Sequence, residues 1–149
     1  MAETTTRQKT GRNGHAGWDY SPAPESRSLA KIKAQYGHFI GGKFVPPKEG
    51  KYFDTIDPST EKRLAKVALG SKKDVDAAVR AARAAYEKHW CKASPKERGK
   101  AIYRIARLIQ ERSRELAVLE SIDGGKPIRE SRDVDLPLVA QHFFYYAGW

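Results

Sequence analysis

One cysteine, four histidines, two glycine-plus-basic stretches and a pair of neighbouring aspartates are the residues whose types suggest chemistry. A nucleophilic cysteine needs a depressed pKa and a base within reach. Cys91 has His89 two residues away and Lys92 beside it, but it falls between two expected helices with no helix N-terminus aimed at its sulfur. Packing beside Trp90 is the better account. His15, His38, His89 and His142 lack metal-ligand spacing. Gly11-Arg12-Asn13-Gly14 and Gly124-Gly125-Lys126-Pro127 do not match a phosphate-binding loop, which requires its full spacing after a strand. Helix termination explains the second stretch. Asp133 and Asp135 are not a matched acid–base pair on spacing alone; capping, or pairing with Arg129 and Arg132, fits them better. The residues by themselves therefore describe an α/β chain without a recognisable active site.

Composition narrows the class. At 149 residues with 40% hydrophobic and 31% charged side chains, the chain is long enough for one domain with a core. No apolar run approaches the roughly 20 residues of a membrane span. Met1–Thr10 is polar, without the apolar stretch of a signal peptide. A single cysteine excludes an intrachain disulfide and suits a cytoplasmic setting. The net charge of +10 raises nucleic acid as a partner, but the basic residues are scattered, as on solvated faces. Neither nucleic acid nor membrane is the expected partner.

The elements that would position any site follow from pattern. Residues 1–35 are rich in Thr, Ser, Gly, Pro, Lys and Arg and lack periodicity, so they read as a disordered basic tail. Phe39-Ile40 and Phe44-Val45 flank Gly41-Gly42, a hairpin signal. Residues 52–56 and 64–69 read as strands around the turn Asp57-Pro58-Ser59-Thr60. From Ser71 the period becomes helical. Ser71 and Asp74 make a capping start, and Val75, Ala78, Val79, Ala82 and Tyr86 share a face expected to lie flat on a neighbour. Ser94-Pro95-Lys96-Glu97 opens a second helix, with a bend near Ser113. Gly124-Gly125 and Pro127 stop it. A last helical stretch spans about 128–147, with Pro137 either kinking it or opening a new segment capped by Asp135. The aromatic cluster Phe143, Phe144, Tyr145, Tyr146 and Trp149 is expected to fold back or to continue into further chain.

Six segments, in order, resemble the N-terminal part of the NAD(P)-dependent aldehyde dehydrogenase superfamily. Phe39-Ile40-Gly41-Gly42-Lys43-Phe44-Val45 resembles its opening hairpin. Thr55-Ile56-Asp57-Pro58-Ser59-Thr60-Glu61 is similar to its T-x-N-P-[AS]-T-G-E turn, with Asp57 for the usual asparagine and no glycine before Glu61. Asp74 to Arg83 resembles D-V-D-x-A-V-x-A-A. Trp90 with Ser94-Pro95 and Glu97-Arg98 fits the start of the next helix. Leu119 to Pro127 resembles L-E-x-x-D-x-G-K-P, and Tyr145-Tyr146-Ala147-Gly148-Trp149 resembles Y-Y-A-G-W. Each match alone is weak; six in order over about three quarters of the chain are specific.

The resemblance implies an α/β fold in which N-terminal β-hairpins and a helical layer, residues 36–149, form a truncated part of a cofactor-binding domain. It implies an enzyme several times this length that oxidises an aldehyde to a carboxylic acid with NAD or NADP. In that family a cysteine thiolate forms a thiohemiacetal, hydride passes to the nicotinamide, and a glutamate helps water release the acid. The motifs for these steps follow the Tyr-Tyr-Ala-Gly-Trp segment, so no catalytic or cofactor-contacting residue is expected among the 149, and the chain is expected to be inactive alone. One site is implied within it: a monovalent cation held through Thr55, Ile56 and Asp123. The bonding of Asp123 near the Gly124 turn is the competing account. The implied partners are the remainder of the enzyme or a full-length homologue, the aldehyde, and further copies in a homo-oligomer. A non-catalytic regulatory partner of a full-length dehydrogenase and a basic helical module for nucleic acid are the alternatives.

Overall fold

A computed structural model describes residues 25–149 of the chain. The tail expected over residues 1–35 falls largely outside that range, but its last part does not behave as a loose tail. Residues 25–34 include a 3-10 turn, Arg27–Leu29, and lead into strand β1, Gln35–Tyr36. Long-range pairing orders this segment, and it leaves no periodic signature in sequence. β1 lies parallel to a strand some thirty residues later, with Lys66 N–H donating to the Ala34 carbonyl at 3.0 Å.

Strands β2, His38–Ile40, and β3, Lys43–Val45, form the expected hairpin. Gly41 and Gly42 have φ of 61° and 79°, the left-handed pair that a two-residue turn requires. Strands β4, Tyr52–Asp57, and β5, Lys62–Ala68, pair antiparallel, and the second sheet has the order β1-β5-β4.

Helix α1, Lys72–Lys88, starts where Ser71 and Asp74 cap one another: the Ser71 N–H and Oγ both donate to Asp74 Oδ2, at 2.9 and 2.7 Å. The alanine-rich face of α1 does not lie on a neighbour. Asp74 is buried and Ala77 and Ala81 are half-buried, while Val75, Ala78, Val79, Ala82 and Tyr86 face away and are exposed. The helix touches its own body through a flank, because Asp74 is tied down by the Lys48 N–H at 2.9 Å and that anchor sets its rotation.

Trp90–Lys92 forms a 3-10 turn. Helix α2, Pro95–Glu111, begins with the full capping box of Ser94 and Glu97. Arg112 leaves helical geometry at φ −104°, ψ 15°, which produces the bend before α3, Ser113–Gly124. Gly125, at φ 72°, ends α3 in the left-handed conformation.

A short α4, Ile128–Glu130, runs into a π-helical turn, Ser131–Asp135, and then α5, Leu136–Ala147. Pro137 therefore sits in the first turn of a new segment, where the wider π turn accommodates its missing N–H. Asp135 makes no cap bond there; its carboxylate pairs with Lys126. The terminal aromatics fold back in part. Phe144 meets Tyr103 edge-on at 5.0 Å, as α5 packs along α2, but Trp149 is 86% exposed. The core is small, built from Ala65, Ala106, Ala117, Val118, Leu136 and Ala140. Among the described residues no helix is long and apolar enough to cross a membrane.

Candidate functional site

Thr55 and Asp123 are 68 residues apart in sequence, yet the Thr55 hydroxyl donates to Asp123 Oδ1. Strand β4 supplies Thr55 and the last turn of α3 supplies Asp123. Helix α3 packs on β4 here, beside an irregularity in the strand ladder. Thr55 pairs with Ala65 and Ile56 with Arg63, so Leu64 has no opposite number and forms a bulge. A bulge bends the strand and interrupts its regular pairing, and such irregularities concentrate near sites. Ile56 is exposed on the far side of the pleat from Thr55. A cavity of about 200 Å³ opens beside the pair, walled by Ile32, Tyr36, Leu64 and Leu119. Its lining is mainly apolar, and Thr55 and Asp123 belong to it.

The next residue on the inner face of β4 is Asp57, which is fully buried. Its Oδ1 accepts from the Ser59 N–H at 2.9 Å and the Ser59 hydroxyl at 2.7 Å, and its Oδ2 pairs with Arg27. The Ser59 hydroxyl first and the Arg27 guanidinium second hold this carboxyl well below the usual carboxylate range. Pro58, the next residue, abuts Gly125, where a Cβ would come within 3.2 Å of the proline ring. The β4–β5 turn and the end of α3 thus meet at Pro58 and Gly125, a few residues along each element from the Thr55–Asp123 contact.

A second charged cluster adjoins this one, with Glu25 and Lys126 lining the same cleft as Arg27 and Ser59. Arg132 reaches Glu25 at 3.3 Å and Asp133 at 2.6 Å, and Asp133 is lowered and Arg132 raised by their mutual hydrogen bonds. Lys126 is raised by Asp135. Sequence reading anticipated the Arg132 pairing but missed Arg27 and Glu25, which sit in the aperiodic segment. The only available signal was the aspartate in a Pro-Ser-Thr turn that ordinarily carries asparagine.

The remaining candidates stay apart. Cys91 is exposed and its Sγ lies 3.3 Å from the Glu87 carbonyl; no described basic side chain bonds it. Among the described residues no cluster of three His, Cys, Asp or Glu side chains is present. Gly124 and Gly125 end α3, and Lys126 is committed to Asp135.

The aldehyde dehydrogenase family matches over residues 44–149. Acetaldehyde dehydrogenase 2 of Cupriavidus necator is 47% identical over 116 residues, which are 78% of this chain and 23% of that protein. A long-chain-aldehyde dehydrogenase from an Acinetobacter species is 40% identical over 129 residues, 87% of this chain and 25% of that protein. The NAD+ complex of aldehyde dehydrogenase from Bacillus cereus superposes with a TM-score of 0.77 at 39% identity, covering 87% of this chain and 26% of that one. The 149 residues thus span about a quarter of the length of the relatives they match, and correspond to an N-terminal segment of them. The match of the family over residues 44–149, with these identities and this superposition, places the chain in the aldehyde dehydrogenase family.

Proposed function

We propose that this chain is the N-terminal portion of an NAD(P)-dependent aldehyde dehydrogenase that oxidises an aldehyde to its carboxylic acid in the cytoplasm. Residues 1–149 shape and brace the cofactor-binding domain rather than carry the reaction. The observation that supports this most is the match to family members over residues 44–149 at about a quarter of their length. The cofactor, NAD or NADP, supplies hydride acceptance when bound to the whole enzyme. The relatives carry names for both acetaldehyde and long-chain aldehydes, so the substrate is assigned only as an aldehyde.

Thr55, Ile56 and Asp123 are the residues of this portion that would hold a monovalent cation. The donor set fits: a hydroxyl and a carboxylate oxygen already meet, and the Leu64 bulge disturbs the ladder where the Thr55 and Ile56 carbonyls lie. Hard cations take oxygen ligands. Two side-chain oxygens and two carbonyls do not fill a coordination shell of about six, so water or other protein groups complete it. Asp123 would hold the charge, and Thr55 would orient the carboxylate.

A chimera tests both parts. Residues 1–149 joined to the remaining three quarters of the Cupriavidus necator relative should reduce NAD(P)+ with an aldehyde. Failure of a soluble, folded chimera to do so would end the dehydrogenase reading. Asp123→Asn in the active chimera should flatten its response to potassium or sodium; an unchanged response removes the cation site alone.

A further inference from the structure

Residues 25–36 tie together the two elements that carry Thr55 and Asp123. The 3-10 turn Arg27–Leu29 packs on α3, and Arg27 borders Val118, Ser121 and Ile122 of that helix. From the same turn the Arg27 guanidinium reaches Asp57 of β4. Farther along, Ile32 and Tyr36 line the cavity that also holds Thr55, Leu119 and Asp123. The Lys33 N–H donates to the Tyr36 hydroxyl at 2.8 Å. The segment ends in β1, which pairs with β5. Its other end is fastened by Glu25, a side chain only 5% exposed, to Arg132. The cavity is therefore lined by β4, β5, α3 and this segment, and the segment is fastened to the other three.

Asp57 follows Thr55 on the inner face of β4, about 7 Å along the strand. Its fully buried carboxylate is held by the Ser59 N–H, the Ser59 hydroxyl and Arg27. Shifting β4 at Thr55 would break a buried charged contact, which is costly. Thr55 comes from β4 and Asp123 from α3, so their meeting depends on how the two elements are held, not on either alone. Resting on the cation reading above, we infer that Arg27 is a positioning residue for that site. Through Asp57 it fixes the inner face of β4, and through its own turn it fixes α3, so that Thr55 and Asp123 stay together. The charge of Arg27 works against this role. A guanidinium within a Debye length of a cation site opposes binding. Its loss would leave the Asp57 carboxylate uncompensated, so on charge alone the cation should bind more tightly. Positioning gives the opposite sign.

The test uses the chimera described above, with thallium(I) as the monovalent probe. Titration followed by thallium NMR reads affinity without turnover. The wild-type chimera should bind, and Asp123→Asn should abolish binding. Arg27→Gln should weaken binding about tenfold, as loss of an outer group that orients ligands does. Arg27→Lys, which keeps the charge and a donor for Asp57, should recover part of that loss. Asp57→Asn should also weaken binding, and it decides the matter if the glutamine variant does not fold. Gly99→Ala strains the α2–α5 crossing, where a Cβ would come within 2.6 Å of the Ala147 carbonyl, away from the cavity; it should leave the affinity unchanged. Binding that is unchanged or tighter in Arg27→Gln overturns the positioning role and leaves the cation site standing. So does a lysine variant no better than glutamine, an unaltered Asp57→Asn, or equal weakening by Gly99→Ala. A wild-type chimera that takes up no thallium, or an Asp123→Asn chimera that binds as well as wild type, removes the cation site and this inference with it.

Discussion

Arg27 reaches across thirty residues of sequence to the fully buried carboxylate of Asp57, and this pair fastens the segment before the first strand to the end of β4. Asp57 also holds Ser59, so one side chain closes the β4–β5 turn and anchors residues 25–36 at once. A buried charge persists only when paired and hydrogen-bonded, which both partners here ensure.

Breaking this pair should release the segment without unfolding the domain. Arg27→Gln is expected to raise amide exchange over residues 27–36, with α2 and α5 still protected. Asp57→Asn retains an acceptor for the Ser59 N–H and should show the same release in milder form. Equal loss of protection in α5 would mean that the pair supports the whole fold and is not a local fastening.

Acid should destabilise the chain in a defined window. The Asp74 carboxyl is depressed from 3.8 to about 2, first by the Ser71 hydroxyl, then by the Ser71 and Lys48 N–H groups, and Asp57 is depressed further. A group whose pKa is lowered on folding contributes stability that is complete above its unfolded value and lost as pH falls through its folded value. Urea midpoints should therefore hold steady down to about pH 4 and fall steeply toward pH 2. Asp74→Asn should reduce that acid slope; an unaltered slope would show that Asp74 contributes nothing to it.

The α2–α5 crossing depends on a missing side chain. A Cβ at Gly99 would come within 2.6 Å of the Ala147 carbonyl, and a helix backbone cannot yield as a flexible side chain can. Gly99→Ala should cost about 1–3 kcal/mol, despite alanine's better helix propensity. Thermal melting of the two proteins decides this, and a rise in Tm would show that the helices separate freely.

Gly125→Ala should be unfavourable for a different reason. Its φ of 72° is left-handed, which costs an L-residue about 1–2 kcal/mol, and its Cβ would press on Pro58. Gly124→Ala, with open space at its Cβ, serves as the control and should be nearly neutral.

The isolated chain should not reduce NAD+ with any aldehyde, and Cys91→Ser should make no difference. Cys91 is exposed, with its sulfur against the Glu87 carbonyl and no described base bonded to it. Aldehyde-dependent NADH formation that disappears with Cys91 would place chemistry where the structure shows none.

Much of this architecture was legible in the amino-acid order because its determinants are local. Gly41-Gly42 dictates a tight turn whatever surrounds it, Ser94-Pro95-Lys96-Glu97 caps its own helix, and Gly125 with Pro127 ends another. The motif order likewise brought Thr55 and Asp123 forward as companions by family resemblance, and the two side chains do meet. Three features were settled only in three dimensions. Residues 25–36 are ordered by Arg27, Glu25 and a parallel pairing with β5, contacts at long sequence separation that leave no periodicity. The Leu64 bulge beside Thr55 is a property of strand register, which depends on both strands together. The rotation of α1 is likewise tertiary, because periodicity identifies an apolar face but not what covers it; the anchor between Asp74 and the Lys48 N–H turns Ala77 and Ala81 toward the body and leaves Val75, Ala78, Val79, Ala82 and Tyr86 exposed in this segment.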